Sequence, residues 1–115
     1  MNKKHFIPFF VLCAAVLMSF QFIKTQLRIT VISETGAYVE NAEVILYNSA
    51  EDYNNSKAAY GPLRTDKKGK VIFHDVSNGP FYIEAVKGDL SNGVSAQLTD
   101  TLQEGRINKI NVVVF

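Results

Sequence analysis

The chain has 115 residues, 47% of them hydrophobic, with one cysteine, two histidines and a formal net charge of +1. That length holds one domain and a short appendage, and a lone cysteine excludes an internal disulfide framework. The basic residues form no stripe along the sequence, which argues against nucleic acid as a partner, because phosphate contacts need clustered cations.

The hydrophobic residues are unevenly placed. Met1-Asn2-Lys3-Lys4-His5 precedes the dense apolar run Phe6–Phe20, the layout of a secretion signal. The run falls short of the about 20 residues of a spanning helix. Extension to Ile23 makes it marginal, interrupted only by Ser19 and Gln21. Residues 1–24 are therefore expected to be a signal peptide or an uncleaved N-terminal anchor helix, with Lys3 and Lys4 cytoplasmic. Cleavage is ambiguous, since no Ala-x-Ala occurs. Phe10-Val11-Leu12 also lacks the small residue that a lipidation site needs before Cys13. Residues 25–115 are expected to be exported, periplasmic or extracellular, touching a membrane only through the N-terminal segment. From residue 24 onward lie all eleven acids and ten of the twelve basic residues. This part must hold by packing alone.

Gln26–Ile32 alternates Leu27, Ile29 and Val31 with Arg28 and Thr30, a half-buried strand by its period of two. Ser33-Glu34-Thr35-Gly36 ends it with turn chemistry. Val39, Ala42, Val44 and Leu46 form the apolar face of a second strand, closed by Tyr47-Asn48. Ser49–Pro62 has no steady period, with room for one helical turn within Glu51–Ala59. Leu63–Thr65 is a short strand entering the turn Asp66–Gly69, where glycine takes the positive φ of a tight hairpin. Val71–Asp75 follows, with Val71 and Phe73 inward and His74 outward. Ser77-Asn78-Gly79-Pro80 turns the chain into Phe81–Lys87, with Phe81, Ile83 and Ala85 inward. Gly88–Gly93 reads as another turn and Val94–Leu98 as a weak edge strand. Thr99–Gly105 is a polar connection, and Arg106–Phe115 ends the chain with Ile110, Val112 and Val114 inward. Seven short strands with regular turn signals predict an all-β, Greek-key sandwich.

Three segments resemble a known family. Gly36-Ala37-Tyr38-Val39-Glu40-Asn41-Ala42-Glu43-Val44 is similar to the G-x-P-V-x-G-A-x-V signature of carboxypeptidase regulatory-like domains. Thr65–Phe73 resembles their T-D-x-x-G-x-F-x-F, and Gly79–Ala85 their G-x-Y-x-L-x-A. Tyr38 stands where the family has proline, and Asn41 where it has glycine, both at turn positions. The resemblance covers Gln26–Phe115. It implies a transthyretin-like (Ig-like) seven-stranded sandwich, found mostly as an accessory module and in small secreted proteins of Bacteroidetes-type bacteria. It brings no catalytic residues and no cofactor.

Little in the sequence suggests catalysis, and no catalytic, cofactor or metal site is assigned. His74 beside Asp75 reads as a surface histidine on a strand. No H-x-x-E pair offers a zinc site. The chain ends Asn111–Phe115, without the Y-R-G-S terminus of the hydroxyisourate-hydrolysing relatives of transthyretin. Asp89, Asn92 and Asp100 carry the oxygen ligands calcium takes, in a stretch that is equally ordinary turn chemistry. The candidate recognition element is the Ser49–Pro62 loop. Its Asp52, Tyr53, Asn54, Asn55 and Tyr60 combine aromatic surface with hydrogen-bonding groups that suit a protein or a polysaccharide. An exposed edge at Val94–Leu98, able to accept a partner strand, is the second candidate. The expected function is a non-enzymatic accessory module of the cell envelope, with carbohydrate binding through the Ser49–Pro62 loop as the alternative.

Overall fold

A computed structural model describes residues 24–93 and 97–115. The expected leader, apart from Lys24, and Val94–Ala96 of the expected edge strand lie outside the described residues. Eight strands and one short helix follow in the order β1 (Gln26–Ser33), β2 (Glu43–Tyr47), α1 (Ala50–Asn54), β3 (Tyr60–Arg64), β4 (Lys70–Phe73), β5 (Tyr82–Lys87), β6 (Leu90–Ser91), β7 (Gln97–Leu98) and β8 (Ile107–Val114). The expected seven becomes eight because Leu90–Ser91, within the expected Gly88–Gly93 turn, pairs with the end of β5.

The strands form two sheets. The smaller has the order β4-β1-β8, and the larger β3-β2-β5-β6, with β7 also paired to β5. β6 and β7 thus take opposite ends of β5, at Val86–Lys87 and Tyr82–Ile83 respectively. β1 is antiparallel to β4 but parallel to β8, in a register from Gln26↔Ile107 to Ser33↔Val114. The first and last strands therefore lie side by side. Past β8, Phe115 exchanges backbone hydrogen bonds with Ser91, at 2.9 and 3.3 Å, tying the small sheet to the large one.

The alternation read from the sequence fills the space between the sheets. Leu27, Ile29 and Val31 of β1 and Val112 and Val114 of β8 face Val44 and Leu46 of β2 and Ile83 and Ala85 of β5, all essentially inaccessible to water. Val71, Phe73 and Phe81 complete the layer, and Ile110 packs half-buried against it. Each large aliphatic or aromatic side chain so buried stabilises by roughly 1.5–3 kcal/mol. The protein is an all-β sandwich with an apolar interior.

Among the described residues, three buried threonines tie loops to this framework, each with its hydroxyl satisfied. Thr25 accepts from the Gly105 amide at 2.9 Å. Thr99 accepts from the Phe81 amide at 2.9 Å and donates to the Asp100 carbonyl. Thr65 accepts from the Ala42 amide at 2.8 Å and donates to the Val39 carbonyl at 2.6 Å. A buried hydroxyl without such partners would cost free energy, so these pairings position loops as well as satisfy atoms.

Candidate functional site

Ser49–Pro62 is more ordered than its aperiodic sequence suggests. Ser49 caps α1 from an extended conformation, its hydroxyl accepting from the Asp52 amide at 3.0 Å, the bond an N-cap supplies to an otherwise orphaned N–H. The last turn closes through the Asn55 and Lys57 amides onto Glu51 and Asp52 carbonyls. Ser56 then takes a positive φ of 55°, and the Ala59 amide donates to Leu46 to start the return strand.

The loop is fastened by Tyr53. By strict alternation Tyr47 of β2 belongs on the outer face of the larger sheet, yet it is only 3% exposed, because α1 folds over it. The Tyr53 and Tyr47 rings meet edge-to-face at 5.3 Å and 84°, a favoured aromatic geometry. Tyr47 donates its hydroxyl to Glu84 Oε1 at 3.2 Å, and Tyr53 hydrogen-bonds the same carboxylate. Burial first, and then the Glu84 charge and hydrogen bond, raise both phenols above their ordinary value. They stay protonated at neutral pH and act as donors.

Tyr60 goes elsewhere. It sits opposite Leu46 in the β2–β3 register and so shares the inward side of the sheet. Its ring meets Phe81 edge-to-face at 5.6 Å and 85°, and its hydroxyl accepts from the Ser77 amide at 3.1 Å. Of the expected recognition residues, Asp52, Asn54 and Asn55 share α1 and its cap. Tyr53 is turned onto the outer face and Tyr60 towards the core, so the structure does not bring these residues together as one surface.

The other sequence candidates are also placed. His74 is exposed beyond the end of β4. Asp75 pairs with Lys24 at 3.3 Å, both side chains about two-thirds exposed (65% and 69%), a contact worth little in water. Asn92 is spent on the backbone of β5, donating to the Ile83 carbonyl at 2.7 Å and accepting from the Ala85 amide at 3.2 Å. Its amide thereby mimics a partner strand. Among the described residues no group of three or more His, Cys, Asp or Glu is placed to hold a metal ion. No helix among them is long and apolar enough to cross a membrane. At the expected edge, Leu98 is exposed and pairs with Tyr82. Beside it a groove of about 480 Å³ is lined by Thr99, Asp100, Leu102, Gln103 and Ile107, among others.

No family model matches the chain, and no curated protein sequence matches it. Among solved structures it is similar to the Bacillus anthracis TIE protein, at 22% identity with a TM-score of 0.56. That match covers 80% of this chain and 17% of the other. The likeness is one of fold, a β-sandwich. A second match, 3-chlorocatechol 1,2-dioxygenase from Rhodococcus opacus 1CP, has 12% identity and a TM-score of 0.47, covering 79% of this chain and 58% of the other. The chain thus spans less than two thirds of either structure.

The segments that resemble carboxypeptidase regulatory-like signatures do identifiable mechanical work. Asn41, at the family's glycine position, has a φ of 62°, a left-handed conformation that asparagine tolerates better than most residues. Gly69 has a φ of 69°, and a Cβ there would lie 2.5 Å from the Val31 carbonyl oxygen. That carbonyl accepts from the Val39 amide, while the Gly69 carbonyl accepts from the Val31 amide. The first two segments therefore meet at the end of β1, and Thr65 links them a second time. Asp66 Oδ1 accepts from the Lys68 and Lys70 amides at 2.8 and 2.9 Å. Those bonds and the adjacent lysine charges hold its carboxyl below the ordinary value.

Proposed function

We propose that this protein is a non-enzymatic, exported accessory module of the carboxypeptidase regulatory-like type, with a transthyretin-like Greek-key arrangement. It acts by contact with a protein or polysaccharide of the cell envelope. The observation that carries the reading is the Thr65 clamp. Of the residues through which the sequence resembles that family, Thr65 and Asp66 are occupied with backbone carbonyls and amides and Val44, Val71, Phe73, Phe81, Ile83 and Ala85 with the core, as expected of a signature that specifies a scaffold. What remains for recognition is surface: the outer faces, the α1 loop and the edge at Leu98. Residues 1–24 act as the export signal or as a tether to the inner membrane.

A carbohydrate-binding role for the Ser49–Pro62 loop would use Tyr53 or Tyr60 singly, since they pack on opposite sides of the larger sheet. The module reading needs no such pairing.

The test is photo-crosslinking of the full chain in expressing cells, with the reactive residue placed at Asn54, Leu98 or Lys109. The expected result is a discrete adduct with an envelope component from at least one position. Recovery of the protein in the cytoplasm, free of adducts at every position, would overturn the reading.

A further inference from the structure

The outer face of the small sheet carries a cup of about 200 Å³, lined by Arg28, Thr30, Lys70, Ile72, Lys109 and Asn111. Register explains its composition. Arg28 lies between Ile72 of β4 and Lys109 of β8, and Thr30 lies between Lys70 and Asn111. Neighbouring strands are about 4.8 Å apart, and same-face residues along a strand about 6.7 Å. Three cations therefore share a patch two residues long and three strands wide.

No carboxylate among the described residues lines the cup. The ion pair found among the described residues, Lys24–Asp75, involves none of its cations. Asp66 in the preceding turn feels the Lys70 charge, and the two backbone amides on its Oδ1 help keep it ionised outside the cup. The Arg28 Nε is buried with no hydrogen-bond partner. Like charges facing one another across strands repel, and the half-buried setting of Arg28 weakens the screening that water would provide. The Asp66 carboxylate of the adjoining turn acts on Lys70, and no carboxylate among the described residues lines the cup beside Arg28 and Lys109 to offset the rest of this repulsion.

We propose that the cup is a binding site for a single phosphate group, either the free ion or an ester carried by a larger molecule. A doubly charged oxyanion offsets three cations better than a carboxylate does, and a planar guanidinium suits its paired oxygens. The Thr30 hydroxyl and Asn111 amide add neutral donors. The cup is smaller than the roughly 300–1,000 Å³ of pockets that enclose a drug-sized ligand, so it takes the charged group rather than a whole molecule. No aromatic side chain among the described residues lines it to stack a sugar or a base,. The site goes beyond the module reading and stands whether or not that reading holds.

The test is titration of the chain, as recovered from expressing cells, with inorganic phosphate, glycerol phosphate and acetate at constant ionic strength, followed by amide NMR. Saturable shifts at Thr30, Lys70 and Asn111 are expected with phosphate, and an affinity at least about tenfold lower for acetate. Lys70→Gln and Lys109→Gln, both at exposed positions, should each weaken phosphate binding about tenfold, while Lys67→Gln in the nearby turn leaves it unchanged. Tighter binding of glycerol phosphate would identify an ester as the source, and tighter binding of inorganic phosphate the free ion. Non-saturable shifts, equal responses to acetate, or affinities unchanged in both cup variants would overturn the proposal.

Discussion

Tyr53 and Tyr60 pack on opposite sides of the larger sheet, Tyr53 against Tyr47 on the outer face and Tyr60 against Phe81 on the inner. Each ring serves as a fastening. Tyr60→Phe should remove the acceptor for the Ser77 amide and cost about 0.5–1.5 kcal/mol in denaturant unfolding. Tyr53→Ala should instead release α1, seen as faster hydrogen exchange over residues 50–57, with a smaller change in global stability.

The pair of phenols at Glu84 makes stability sensitive to alkali. Both are raised above the ordinary value of about 10,. Below that value they are neutral in the folded and unfolded chain alike, and their contribution is fully present. As pH rises past it the unfolded chain ionises first, so stability falls until the folded hydroxyls ionise as well. Phenolate absorbance during an alkaline titration should show two tyrosines titrating late, and Tyr53→Phe should bring Tyr47 closer to normal. A titration in which every tyrosine ionises together near 10 would contradict this.

Backbone conformation makes two neighbouring turns respond in opposite ways. Asn41→Gly should be neutral or stabilising, because glycine relieves the positive φ of 62°,. Gly69→Ala should destabilise by more than the roughly 1–2 kcal/mol of a left-handed alanine, since the new Cβ would strike the Val31 carbonyl. Thermal unfolding of the two variants beside the parent decides it.

Phe73, 3% exposed in the core, pairs with Leu27 of β1. Phe73→Ala should cost about 3–5 kcal/mol. An unchanged unfolding midpoint would remove it from the core.

Much of this architecture was legible because a period of two declares which side of a strand is wet. Leu27, Ile29, Val44, Ile83 and Val112 were placed inward by that rule alone, and they are buried. Tyr47 was missed in kind: alternation puts it outside, and only α1 crossing over it makes it dry. Leu90–Ser91 was hidden among turn residues because two residues carry no period. The parallel seam between β1 and β8 joins residues 81 apart in the chain, which local pattern cannot indicate. The cup was illegible for the same reason. Arg28, Lys70 and Lys109 are scattered along the sequence, and only register sets them side by side. The loop residues drew attention by type, but type did not reveal that Tyr53 and Tyr60 diverge.

The most direct measurement is urea unfolding of Thr65→Val beside Thr65→Ser. Valine keeps the shape but leaves the Val39 carbonyl and Ala42 amide without their partner, and should lower stability by about 1–3 kcal/mol. Serine, which retains the hydroxyl, should recover most of that loss. Equal stability of the valine variant and the parent would contradict the view that these signature residues exist to hold the sandwich together.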